Sequence, residues 1–359
     1  MVNKDALRAL QSATQKLKKR YGDEVVVDTK VIKKYETIST GSAIIDDAIG
    51  ISGESGFPLG RIIEIYGPEA SGKSSLCMAA VAQAQKKYPD KMVLYIDAEH
   101  AFNLEYAAKF GINTDPSAFM FCQPESAEEA LEIFNTYAET GAFSVIVLDS
   151  VAAMATEAQL AKAMDEKTMG SLAGVMSPGL TKIKSTISRT NTLGIFVNQV
   201  RENLGMFTSG ETTPGGKALR FYASLRIRVS KKDLIVDPVT KETIGQDLKI
   251  DFKKNKVGTP YKVVETKLIF GQGFDYESEY IDIGVSKGIV NKGGAWLNWL
   301  SSEGDVLKFQ GKLNASTFLK NNPAEFEYLK SLVINADGQA ASEELPPEER
   351  DPDEDNELE

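Results

Sequence analysis

Gly67-Pro68-Glu69-Ala70-Ser71-Gly72-Lys73-Ser74 is the stretch on which the fold turns. It fits G-x-x-x-x-G-K-[ST], a loop whose backbone N–H groups curl inward onto phosphate oxygens. The apolar run Arg61-Ile62-Ile63-Glu64-Ile65-Tyr66 precedes it and reads as a strand; Ser74 to Lys87 follows and reads as a helix. Strand, loop and helix in that order aim the helix's positive N-terminal end at the same phosphates. Lys73 is expected on the β- and γ-phosphates and the Ser74 hydroxyl on Mg²⁺.

Outward from the loop, apolar runs alternate with helical stretches. Met92 to Ile96, Val145 to Leu148 and Leu193 to Val197 read as strands. Ala127 to Glu139 reads as a helix with Ala130, Leu131, Phe134 and Ala138 on one side. Continuous apolar strands between helices imply an α/β fold, a mostly parallel sheet covered by helices. Asp149 follows Val145-Ile146-Val147-Leu148, and a carboxylate at the carboxyl end of a buried parallel strand stands where such sheets bind ligands. It is a candidate for the Mg²⁺ shell, through water. Glu99, in Asp97-Ala98-Glu99-His100, follows the Met92 to Ile96 strand. It is a candidate base for an attacking water, with a solvated loop acid as the alternative. His100, the one histidine, has no metal-binding companions in sequence and is expected to pack or hydrogen-bond.

The flanks differ. Residues 3–20 read as an amphipathic helix with Leu7, Leu10, Thr14 and Leu17 near one stripe, followed by a strand candidate, Val25-Val26-Val27. Such an arm cannot bury its own apolar face, so it packs on its parent domain or on a neighbouring subunit. After Phe270-Gly271-Gln272-Gly273 the pattern changes to a smaller α+β segment that ends in a helical stretch, Ala324 to Val333. Residues 337–359 hold eleven acids and one base, Arg350, and are expected to be a disordered tail. The chain's net charge of −10 therefore resides in that tail. A charge-balanced body can carry basic patches, so overall acidity does not exclude a nucleic-acid partner. Cys77 and Cys122 alone make neither a disulfide framework nor a zinc quartet. With no signal core and no run long enough to span a bilayer, a cytoplasmic protein without a membrane partner is expected.

The chain resembles the bacterial and phage RecA recombinases over nearly its whole length, as a divergent member. Thr37-Ile38-Ser39-Thr40-Gly41-Ser42, Arg61 to Ser75, Asp97-Ala98-Glu99-His100-Ala101 and Val147 to Ala153 are similar to that family's strand, phosphate-loop, glutamate and metal-side segments. Asn198-Gln199-Val200-Arg201 and Glu211 to Ser224 resemble its second DNA loop; Lys254-Asn255-Lys256 and Gly293-Gly294-Ala295-Trp296 resemble later segments. The resemblance implies a RecA-like core at 34–272, an oligomerisation arm at 1–33 and a small C-terminal domain at 273–336. It implies ATP and Mg²⁺ bound by Gly67 to Ser75 and Asp149, with Tyr106, Asn103 and Phe270 near the adenine. Glu99 would activate water, Gln199 would sense the γ-phosphate, and Lys254 and Lys256 would reach a neighbour's ATP across a subunit boundary.

Two loops would touch DNA. Residues 162–171 resemble the first, with Met169, Gly170 and, just beyond, Ser177. Residues 200–214 resemble the second, with Arg201; Leu204 would wedge between bases, and the following Gly215 and Gly216 would bring backbone N–H groups to phosphates. The sequence departs from the family at Gly174 and Thr181, which replace arginines, and at Leu204, Asn103 and Phe270, which stand for isoleucine, aspartate and tyrosine. The second loop is about one residue shorter, and residues 21–33 lack the family's glycine-rich linker. The implied function is an ATP-dependent recombinase that filaments on single-stranded DNA, pairs it with double-stranded DNA and exchanges strands, working at the nucleoid in repair and the SOS response. Implied partners include a LexA-type repressor and single-strand-binding or loader proteins. The acidic tail is expected either to compete with duplex DNA near Lys287, Lys292, Lys308 and Lys312 or to serve as a solubilising segment. The rival readings are a hexameric helicase-type motor on the same core and a non-catalytic filament that coats single strands.

Overall fold

The computed structural model describes residues 3–22, 35–51, 56–161, 171–202, 211–237 and 239–340. They fall in two units, 1–36 and 37–359. The first contains α1 (Lys4–Tyr21). Asn3 Oδ1 accepts the Asp5 N–H at 3.2 Å at its start, and Gly22, at φ +95°, ends it. Lys18, Lys19 and Arg20 occupy the last turn, where cations favour the helix dipole. Leu7, Leu10 and Leu17 are all exposed. The strand expected at residues 25–27 lies outside the described residues.

In the second unit, β1 (Thr37–Ile38) pairs antiparallel with β2 (Phe57–Pro58), and α2 (Ala43–Ile49) lies between them in sequence. Then come β3 (Ile62–Gly67), α3 (Lys73–Lys87), β4 (Met92–Asp97), α4 (Leu104–Lys109), β5 (Phe119–Cys122), α5 (Ala127–Glu139) and β6 (Phe143–Asp149). They are followed by α6 (Glu157–Leu160), α7 (Leu172–Thr190), β7 (Leu193–Gln199), the paired β8 (Arg201–Glu202) and β9 (Glu211–Thr212), and α8 (Ala218–Tyr222). β10 (Leu225–Val236), β11 (Thr243–Asn255), β12 (Val263–Ile269) and β13 (Gly273–Phe274) complete the core.

Nine strands form one sheet in the order β13-β12-β11-β10-β3-β7-β6-β4-β5. From β10 to β5 every pairing is parallel; from β10 to β13 every pairing is antiparallel. β4, β6 and β7 are buried on both faces, which is why they read as apolar runs. One face packs Leu76, Ala80 and Val81 of α3 against Ile63, Val147 and Ile195. The other packs Leu131 and Phe134 of α5 and Leu180 and Ile187 of α7 against Ile62, Ile146 and Phe196. Phe134 stacks on Phe196 with ring centroids 5.1 Å apart. α5 and α7 meet at Gly179, where a Cβ would stand 2.7 Å from Leu131 Cδ1.

The C-terminal part has its own small core. α9 (Tyr276–Ser286), the antiparallel β14 (Asn291–Gly293), β15 (Trp296–Leu300) and β16 (Val306–Gln310), α10 (Lys312–Asn321) and α11 (Pro323–Ala340) enclose Ile281, Val290, Leu297, Trp299, Leu319 and Leu329. One boundary is corrected. The helix expected to stop at Val333 continues to Ala340, so residues 337–340 belong to α11 rather than to a disordered tail. Apolar periodicity ends near Val333, but backbone hydrogen bonding needs no apolar side chains and carries the helix on. Residues 341–359 lie outside the described residues. Of the lysines expected to face the tail, Lys287 is held by Asp47 at 3.1 Å and Lys312 by Asp282 at 2.8 Å.

One buried carboxyl, Glu279, joins this part to the core, and a second, Asp46, is buried within the core. Glu279 on α9 accepts from Ser42 Oγ (2.9 Å), the Ile44 N–H (3.4 Å) and Thr266 Oγ1. Asp46 on α2 accepts from Ser39 Oγ (2.5 Å) and the Thr40 N–H (2.8 Å). Burial outweighs these hydrogen bonds and pushes each carboxyl up to about 7. A carboxyl that holds its proton more tightly when folded stabilises the fold at acid pH. That contribution fades as pH rises from the ordinary carboxylate range through about 7. The urea-unfolding free energy is therefore expected to fall between about pH 5 and pH 8, and less steeply in Glu279→Gln. An identical slope in that variant would remove Glu279 as the cause.

Candidate functional site

The phosphate loop is built by close approach. A Cβ on Gly67 would stand 2.0 Å from the Val229 carbonyl of β10, so only glycine lets the loop leave β3 there. Ala70 takes φ +54° and Gly72 φ +90°, and Gly72 caps α3. Ser71 Oγ is buried without a hydrogen-bond partner, an unusual state for a buried hydroxyl and one that an anion in the loop would relieve. Lys73 Nζ donates to the Pro68 carbonyl at 2.6 Å. Burial lowers its ammonium pKa, opposed by Asp149 and Glu99.

The strand ends bring the acids together. β4 and β6 set Asp97 opposite Asp149, and β3 and β7 set Gly67 opposite Gln199. Asp149 Oδ2 accepts from both Ser74 Oγ and Tyr95 OH at 2.7 Å, and burial raises its carboxyl. Glu99 Oε1 accepts from Ser150 Oγ at 2.5 Å and from Gln199 Nε2 at 2.9 Å. A cleft of about 420 Å³ opens between the phosphate loop, Glu99, Asp149, Gln199 and Phe270. Lys231, Leu234 and Gln246 of the β10–β11 hairpin form its other wall. The sequence reading missed these three, and nothing local in them signals a site.

Other expected residues lie around the cleft. Asn103 is the N-cap of α4, its Oδ1 accepting the Tyr106 N–H at 2.9 Å. Tyr106 OH accepts the Gly271 N–H at 3.4 Å, which puts the ring beside Gly271. Neither lines the cleft. Lys254 and Lys256 do not line it either. Lys254 Nζ donates to the Arg220 and Phe221 carbonyls at the end of α8, at 2.7 and 3.0 Å. Burial, then the charge of Lys256, pushes its ammonium down to about 8. His100 is exposed, at φ +55°.

Met169, Gly170 and Leu204 lie outside the described residues. Ser177 and Arg201 are exposed. Gly215 and Gly216, at φ +85° and +75°, press against α7, where a Cβ on Gly216 would come within 2.6 Å of Ala173 Cβ. Thr181 donates to the Ser177 carbonyl at 2.9 Å and shares a 2.8 Å hydrogen bond with Tyr222 OH.

Behind the cleft runs a buried polar row. Glu64 on β3 is 0% exposed and pairs with Arg226 on β10, whose guanidinium also covers the Tyr66 ring at 4.6 Å. Asn198 Nδ2 donates to Glu64 Oε1 (3.2 Å) and to the Pro214 carbonyl (3.1 Å), while its Oδ1 accepts the Gln199 N–H (3.0 Å). The signal for Glu64 was present in the sequence: a lone acid in an apolar strand needs a buried partner.

Comparison with known proteins gives two family matches, the RecA N-terminal domain over residues 8–275 and the RecA C-terminal domain over 278–337. Protein RecA of Rhodospirillum rubrum is 40% identical over 350 residues, covering 96% of this chain and 92% of that one. Protein RecA of Streptomyces rimosus is 42% identical over 326 residues, covering 90% and 83%. That of Bacteroides thetaiotaomicron is 39% identical over 339 residues, covering 94% and 99%. Among the described residues no helix is long and apolar enough to cross a membrane.

Proposed function

The chain belongs to the RecA family of recombinases, and on that premise we propose that its cleft is the DNA-dependent ATPase of a strand-exchange filament. One contact carries the reading. Gln199 Nε2 donates to Glu99 Oε1 at 2.9 Å. The carboxylate placed to take a proton from water is thus bonded to the residue that opens the 200–214 segment.

ATP lies with its phosphates in the loop 67–75 and its adenine toward Phe270 and Tyr106. Lys73 exchanges the Pro68 carbonyl for phosphate oxygens. Mg²⁺ supplies positive charge to the transferring phosphoryl group; the Ser74–Asp149 pair, at 2.7 Å, fits it as a hydroxyl ligand and a carboxylate acting through water. Glu99 accepts the proton of the attacking water. Gln199 meets the γ-phosphate and passes its presence to the adjoining segment. Lys254 and Lys256 act on a neighbour's triphosphate, whose charge would favour the protonated form of Lys254. The exposed leucines of α1 support an arm that docks on another protomer and so a filament.

Segments 162–171 and 200–214 face DNA through Met169, Gly170 and Arg201, with Leu204 as the wedge, and Ser177, Gly215 and Gly216, just beyond them, add contacts. Backbone and stacking contacts tolerate any sequence, as pairing by homology requires. Work at the nucleoid, encounter with a LexA-type repressor, and loading by accessory proteins belong to this proposal. The test is a joint-molecule assay with circular single-stranded and linear duplex DNA. Joint molecules are expected only with ATP; tight DNA binding without them would overturn the reading. Leu204→Ala is expected to raise the oligonucleotide needed for half-maximal ATPase stimulation by about tenfold, a loss comparable to one base-stacking contact. DNA-free nucleotide affinity should stay unchanged, and its loss would show the wedge to be misplaced.

A further inference from the structure

β8 and β9 form a separate ladder of two pairs, Arg201↔Thr212 and Glu202↔Glu211. So short a ladder is marginal by itself. What fastens it is Arg228 on β10. Its Nε donates to Glu211 Oε2 at 2.6 Å and its Nη2 to Glu211 Oε1, a two-pronged grip that sets direction as well as distance. Its Nη1 donates to Ser230 Oγ at 2.6 Å and stands 3.9 Å from Asp251 Oδ2. Ser230 and Asp251 hold the guanidinium from behind and leave it one orientation. The grip also holds the Glu211 carboxyl below the usual carboxylate range and raises the Arg228 guanidinium.

Three residues after Glu211, the Pro214 carbonyl is tied to Asn198, and Asn198 accepts the Gln199 N–H. The path from the ladder to the cleft is therefore short: Arg228, Glu211, Pro214, Asn198, Gln199, Glu99.

We propose that Arg228 is a positioning residue of the DNA-dependent ATPase: by gripping Glu211 it fixes β9 against β10, so that the binding of DNA at the 200–214 segment is transmitted to Gln199. The inference rests on reading 200–214 as a DNA segment. Arg228 touches neither nucleotide nor DNA in this role. A grip of purely structural value would change thermal stability and leave the response to DNA alone; a partly exposed ion pair contributes little to stability in any case.

The experiment measures ATP hydrolysis by the full chain against increasing oligo(dT), beside DNA-free nucleotide affinity and melting temperature. Wild type is compared with Arg228→Gln, Glu211→Gln, the double variant and Arg228→Lys. Each Gln single is expected to need about tenfold more oligonucleotide for half-maximal stimulation, a usual size for coupling between sites. Nucleotide affinity should stay within about twofold, since the cleft residues are untouched. The double variant should be no worse than either single, because the two residues act as one unit. Arg228→Lys, which keeps the charge and loses the second prong, should fall between, and it serves alone if Arg228→Gln does not fold. A DNA-stimulated wild type with unchanged half-saturation in these variants overturns the grip; so do single effects that add in the double. A wild type indifferent to oligo(dT) overturns the DNA reading and the grip with it.

Discussion

Glu99→Gln is expected to lower ATP turnover about 10²- to 10⁴-fold while nucleotide still binds, the range for removing a positioned general base. Glutamine keeps the shape and can still meet Ser150 Oγ and Gln199 Nε2, the partners of Glu99 Oε1. What it cannot do is take a proton. The groups that hold the triphosphate, Lys73, Ser74 and the loop backbone, are untouched, so affinity for a fluorescent ATP analogue should be near wild type. Single-turnover hydrolysis with saturating oligonucleotide separates the two quantities. A rate within about threefold of wild type, far less than loss of a general base costs, would show that another group activates the water. A parallel loss of binding would show that Glu99 builds the cleft rather than acting in it.

Glu64→Gln is expected to destabilise the fold by about 3–5 kcal/mol, the usual cost of leaving one member of a buried ion pair uncompensated. Glu64 is fully buried, and Arg226 is nearly so, with side-chain exposure of 9%. Glutamine would turn an amide toward the guanidinium or else toward Asn198, and neither donor finds an acceptor there. The charge of Arg226 then stays in the sheet, relieved only by the Tyr66 ring. Urea denaturation measures the loss. Adding Arg226→Leu should restore part of it, because removing both charges is cheaper than stranding one. A single-variant loss below about 1 kcal/mol would mean that water reaches the pair and screens it.

The phosphate loop, Glu99, Asp149 and the parallel strands were legible because each depends on local order: a motif between a strand and a helix, or an acid at the end of an apolar run. Lys231, Leu234 and Gln246 were not, since they reach the cleft only through the β10–β11 pairing, Lys231 and Leu234 from the exposed half of β10 and Gln246 from a buried part of β11. Arg228 and Glu211 escaped for the same reason; their contact joins β9 to β10, and charged residues in half-exposed strands carry no signature of a partner. The close approach of Gly215 to Val151 and Met176 and of Gly216 to Ala173 was equally hidden, since it joins residues far apart in the sequence. The end of α11 was misplaced because apolar periodicity marks what a helix buries, not where its backbone stops.

The strand carrying the phosphate loop, β3, sits between β7 and β10 in the sheet. On a ribosome, residues 62–67 therefore emerge long before either neighbour, 193–199 or 225–236, exists. An unaccompanied parallel strand has no ladder and exposes apolar side chains on both faces. The nucleotide cradle thus closes only once residues 225–236 have been made, well past the middle of the chain, and shorter nascent chains depend on chaperones or on speed of synthesis to stay unaggregated.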